Sequence, residues 1–89
     1  MILEITSPPF NVYKNGNKTF DVKTKTAHIN TDMIQSVVTH YATVSLDVGL
    51  DTTYACSKIT MSDGMAFYAD MLPREIAEII NNQNVYTNE

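Results

Sequence analysis

The sequence predicts an α+β fold, a mainly antiparallel β-sheet or small barrel of six to seven strands with one C-terminal helix. Three observations carry this: several short runs alternate apolar and polar residues with period two, turn-forming residues separate those runs, and an apolar stripe of helical spacing appears near the end of the chain.

Met1 to Thr6 alternates and stops at Ser7-Pro8-Pro9, where two prolines remove backbone donors, so a first edge strand is expected there. Phe10 to Tyr13 and Thr19 to Val22 flank Asn15-Gly16, residues that tolerate the positive φ of a hairpin turn. The outgoing strand is expected to continue through Lys23, Thr24, Lys25 and Thr26 to Ile29. Asn30-Thr31-Asp32 supplies capping side chains for a brief turn leading into a short strand at Ser36 to Val38. Ala42 to Leu50 alternates most clearly, with Val44, Leu46 and Val48 on one face, and Gly49 and Asp51 mark its end. Thr52 to Met61 returns, and Ser62-Asp63-Gly64 turns the chain into Met65 to Ala69. Asp70 offers an N-cap for the closing helix and Pro73 fits its first turn. Leu72, Ile76, Ile79 and Ile80 form one helical face, Arg74, Glu75 and Glu78 point away, and Asn81-Asn82 ends the helix. Residues 1–82 thus form a single compact domain and 83–89 a polar tail.

A chain of 89 residues buries only about 60–65% of the surface its unfolded form exposes, so one core leaves a thin margin and a homo-oligomer is expected. No basic n-region with an apolar stretch and no long apolar run is seen, which reads as a cytoplasmic protein without a membrane segment. Cys56 stands alone, so no internal disulfide forms. The net charge of −4 argues against nucleic acid as partner. That charge is unevenly spread. Residues 1–26 hold four lysines against two carboxylates, whereas residues 27–89 hold Lys58 and Arg74 against eight. Such a split allows one anion-attracting face, or complementary faces that associate. Eight asparagines and eleven threonines give the polar bias of an AT-rich genome, as in many bacteriophages.

From His28 to Asn81 a polar turn with Asn30 and Asp32 is followed by Ile34, two strands, an Asp-Gly turn, a further strand and a Glu-containing helix. In this order the chain resembles the small FlbD-like proteins of bacteria and phages. An extra N-terminal strand and hairpin and a long 42–61 hairpin depart from that pattern. The resemblance implies a β-sheet with a C-terminal helix in an accessory protein without enzymatic activity; it names no ligand. A similar strand order also resembles the LytTR DNA-binding domain, which the excess of carboxylates disfavours.

Catalytic patterns are missing from the sequence. His28 and His40 lie outside any metal-ligand spacing, five serines lack a nucleophile-elbow context, and three glycines build no phosphate loop. Polar strand or loop positions account for both histidines, turn chemistry for Asp47 and Asp51, and a half-buried structural thiol for Cys56. No cofactor is implied. Two clusters stand out. Met61, Met65, Tyr68 and Met71, with Phe67, concentrate soft and aromatic side chains around one turn, which suits a partner-binding surface; the plainer reading is core filling with Met65 and Phe67 inward. Tyr13, Lys14, Lys18, Lys23, Thr24 and Lys25 line a hairpin that could hold an anionic small molecule such as a nucleotide, or simply guard an edge strand against aggregation. The leading expectation is therefore a non-enzymatic interaction protein, a phage-encoded or accessory regulator or inhibitor acting on a host protein. Sequestration of an anionic small molecule is the alternative, and DNA binding the third reading.

Overall fold

A computed structural model describes the backbone of residues 1–14, 17–47 and 50–87, and the side-chain environment of residues 1–12, 22–45 and 50–82. The Asn15-Gly16 turn, Val48 and Gly49, and the side chains of Tyr13, Lys14, Lys18 and Leu46, lie outside the described residues. Seven strands and one helix follow in the order β1 (Ile2–Thr6), β2 (Phe10–Lys14), β3 (Asn17–Lys23), β4 (Thr26–Asn30), a 3₁₀ turn (Thr31–Met33), β5 (Ile34–Asp47), β6 (Leu50–Met61), β7 (Ala66–Ala69) and α1 (Pro73–Thr87).

The expected α+β composition is present, but not as one sheet. All pairings are antiparallel, in three sheets: β1 with β4, β2 with β3, and the central β5-β6-β7. No closed barrel forms among the described residues. The strand expected to run unbroken from Thr19 to Ile29 is instead two strands, because Ser7 seizes the backbone at Lys25: its N–H donates to the Lys25 carbonyl at 2.7 Å and its Oγ accepts the Lys25 N–H at 2.8 Å. The chain is thereby released from β2 and delivered to β1. The short strand at Ser36 to Val38 and the strand from Ala42 are one continuous β5.

Register sorts the central sheet into two faces. Val37, Ile59 and Phe67 form one cross-strand row, with Ser57 and Ala69 adjacent. This face meets Leu3, Ile5 and Ile29 from β1 and β4 and Ile76 from α1 to make the core. The other face carries His40 opposite Cys56 and Ala42 opposite Tyr54, and the Ser7–Pro9 linker crosses it, since the Tyr54 hydroxyl donates to the Pro9 carbonyl at 3.3 Å.

Asn30 caps the 3₁₀ turn as expected, its Oδ1 accepting the Asp32 N–H. At the other turn the Met65 N–H is held by Asp63, and Gly64 takes φ +91°, a left-handed geometry that other residues enter at a cost. Asp70 is not the helix N-cap. The Leu72 N–H donates to Glu75 Oε1 at 3.1 Å, half of a capping box closed from inside the helix, with Pro73 as first helical residue. The helix also continues past Asn81-Asn82 to Thr87, so most of the expected polar tail is helical. Its apolar face is as expected: Ile76 is fully buried and Leu72, Ile79 and Ile80 are half-buried.

Candidate functional site

The linker that seizes Lys25 also creates the largest described hollow. Ser7–Pro9 crosses one face of the central sheet, and between it and the sheet opens a groove of about 390 Å³ walled by Phe10, Lys25, His40, Tyr41 and Tyr68. Its walls are built in pairs. The Lys25 ammonium lies 5.4 Å from the centroid of the Phe10 ring, a cation–π arrangement. On the facing side the rings of His40 and Tyr68 meet at 4.7 Å between centroids, tilted by 48°. These two residues stand on different strands, β5 and β7, and reach each other across β6. Among the described residues no carboxylate lines this groove, so Lys25 gives it a positive sign that suits an anionic group.

Lys25 and Tyr68 are shared with a second hollow of about 360 Å³ between β4 and β7, lined further by Ile5, Thr26, Ala27 and Phe67. They form the lip between the two. A smaller hollow of about 220 Å³ lies at the opposite end of β7, among Met33, Met61, Met65 and Phe67.

The sequence-derived candidates scatter accordingly. Of the methionine and aromatic cluster, Met61 is buried and Met71 half-buried against the core, where its carbonyl accepts the Ser57 hydroxyl at 2.6 Å. Met65, expected inward, is exposed because it sits in the turn just before β7. Tyr68 is 41% exposed and alone of the four reaches the large groove. Of the lysine hairpin, Lys23 and Thr24 are exposed beyond the groove and Lys25 enters it. Residues drawn from two separate candidate clusters therefore meet in one place. Phe10 and Tyr41 were not singled out by sequence reasoning, and His40 was assigned only to a polar strand or loop position. Their one visible signal was an aromatic after two prolines and a His-Tyr pair inside an uncharged strand.

Register also brings His40 opposite Cys56, a juxtaposition that their distance along the chain conceals. It does not make an activated thiol. Cys56 is fully buried, and burial first, with the Asp70 carboxylate adding to it, pushes its thiol up. The reactive thiolate is suppressed. Burial likewise raises the Tyr54 hydroxyl, with Asp70 and then Cys56 contributing. Asp51 accepts the hydroxyl of its cross-strand partner Ser45 at 2.6 Å, and the turn at 48–49 lies outside the described residues. Among the described residues no three His, Cys, Asp or Glu side chains come together as a metal site, and no helix is long and apolar enough to cross a membrane.

No protein-family model, curated protein or solved structure matches this chain.

Proposed function

We propose that this chain is a small interaction protein without catalytic chemistry, which binds a segment of a protein partner in the groove between Lys25 and Tyr68. The observation that carries this reading is the convergence of Lys25, Phe10, His40 and Tyr68 on one open groove with no carboxylate in its walls among the described residues. Flat aromatic walls bury the side chains of an extended segment at little entropic cost, and a single lysine selects one that carries an acidic residue. The buried, protonated state of Cys56 supports a binding role over a nucleophilic one.

The test is capture of an identified partner, followed by titration of the acidic segment from it. Tyr68→Ala and Lys25→Glu should each weaken binding at least about tenfold, equivalent to about 1.4 kcal/mol. Unchanged affinity in both variants would sink the proposal. A second reading, sequestration of an anionic small molecule, is favoured by the same Lys25 ammonium over the Phe10 ring. A thermal shift with nucleotides in low salt, lost in Lys25→Glu, would place the small molecule ahead of the protein segment.

A further inference from the structure

The groove is bordered on one side by four consecutive residues of β5, His40 to Thr43. Consecutive side chains of a strand point to opposite faces, so a hollow that touches all four runs along the strand's edge. Among the described residues β5 is bonded on one side to β6 and to no strand on the other, although the β2–β3 hairpin comes close to it.

Asn11 shows which backbone groups point outward. Its side-chain amide plugs the edge at Ser45, with Nδ2 donating to the Ser45 carbonyl at 2.9 Å and Oδ1 accepting the Ser45 N–H at 2.9 Å. Ser45 therefore turns both backbone groups away from β6. The pairing of β5 with β6 is regular from Ser36 to Ser45, so alternation turns Thr43, Tyr41, Thr39 and Val37 outward as well. Among the described residues no hydrogen bond reaches the outward N–H or carbonyl of those four.

Proteins blunt such edges with lysine, proline, bulges or inward charges. From Ile34 to Leu46 this strand has no charged residue and no proline. On the other side of the sheet β7 is only four residues long and is met at its end by β1, where the Asp70 N–H donates to the Thr6 carbonyl at 2.8 Å, while the part of β6 that β7 does not reach, Leu50 to Cys56, carries the charge of Asp51.

We infer that the β5 edge pairs with β5 of a second copy of this chain, antiparallel about a two-fold axis at Thr39, joining two three-stranded sheets into one. This goes beyond the groove reading, and uses the main chain of Val37, Thr39 and Tyr41 rather than the Lys25 and Tyr68 side chains on which groove binding depends. Three features make the strand its own complement. Having no charge, it sets no like charges opposite each other across the axis. The axis pairs Thr39 with its copy and Tyr41 with Val37, an aromatic against a β-branched residue, on both sides. Tyr41, 68% exposed, gains cover, and the outward groups of Val37, Thr39 and Tyr41 exchange about six main-chain hydrogen bonds. A different strand from another protein would find the hydrogen bonds but not this symmetry.

Light scattering after size exclusion at about 100 μM, above micromolar dissociation constants, should give twice the chain mass of 10.0 kDa. Thr39→Pro removes an outward donor that β6 does not use, and Tyr41→Lys places a charge beside the axis. Each should halve the mass while leaving the far-ultraviolet circular dichroism unchanged. Thr39→Cys should oxidise to a covalent dimer, its two Cα atoms lying about 5.5 Å apart, while Ala55→Cys on exposed β6 should not. If Thr39→Pro fails to fold, Tyr41→Lys and the cysteine pair decide. A wild-type mass of 10.0 kDa, a doubled mass untouched by folded variants, a Thr39→Cys chain that stays single under oxidation, or a single chain that takes up another protein's strand would each overturn the inference. Thr39→Pro leaves Lys25 and Tyr68 in place, so loss of the dimer and loss of groove binding are read separately.

Discussion

Cys56 and Tyr54 tie chemistry to stability most directly at the scale of single residues. Both acids are pushed up in the fold, Cys56 from an ordinary value of 9.0 and Tyr54 from 10.0, with burial the leading cause in each. An acid whose folded pKa lies above its unfolded one adds stability that is fully present below the unfolded value and is lost as pH rises through the folded one. Thermal unfolding should therefore be flat through neutral pH and decline above about pH 9. Replacing Cys56 with Ala should flatten the first part of that decline, and a melting temperature that falls equally steeply without the thiol would refute the assignment. The same burial predicts that thiol reagents label Cys56 only as the chain unfolds. That Cys56 has no disulfide partner was legible from its isolation in sequence, and its burial is complete where half was expected. Its position opposite His40 was not legible, because register between strands is set by the turn and the packed faces rather than by local spacing.

Between elements, the sequence revealed most where one signal dominated. The Asp63-Gly64 turn, the Asn30 cap and the apolar face of α1 were all readable, each resting on one local mechanism. The strand break at Thr24 and Lys25 was hidden, since the alternation carries straight through it and the cause, Ser7, lies eighteen residues away in the chain. The length of β5 was hidden for a different reason. Val37 packs into the core while Val44 is buried on the opposite face, so no single period marks the strand from end to end. The groove depended on both of these. Lys25 enters it only because the strand breaks, and His40 because β5 runs through.

The Asn11 plug makes a prediction at this same scale. Asn11→Ala removes both hydrogen bonds to Ser45 and leaves that N–H and carbonyl unpaired on the edge. Loss of two such bonds costs about 1–3 kcal/mol, and the loss should be local. Hydrogen exchange should show the β2–β3 hairpin opening more readily while β6 amides keep their protection. Equal loss of protection in β2 and β6 would show that the hairpin and central sheet unfold together.

The whole molecule is long for its chain. It measures 55 × 22 × 18 Å with a radius of gyration of 15.6 Å, where a compact chain of this length has about 12 Å. A fourteen-residue β5 spans about 46 Å at strand rise, and that strand with β6 sets the long axis. An extended shape buries less per residue, so the core has to be held by few side chains. β6 sits between β5 and β7 and contributes to both layers, Ile59 to the core with β1, β4 and α1, and Tyr54 and Cys56 to the face beneath the linker. Unfolding should for that reason be a single transition despite three separate sheets. Ile59 is fully buried, and truncating it to Ala costs about 2–5 kcal/mol. That is a large share of the about 4–13 kcal/mol available to a chain of this size. At about 4–8 °C per kcal/mol, Ile59→Ala should lower the melting temperature by at least about 8 °C. Circular dichroism and tyrosine fluorescence, the chain having five tyrosines and no tryptophan, should report coincident curves before and after the change. If the two curves separate in the variant, the layers on either side of β6 are independent units and the central strand does not couple them.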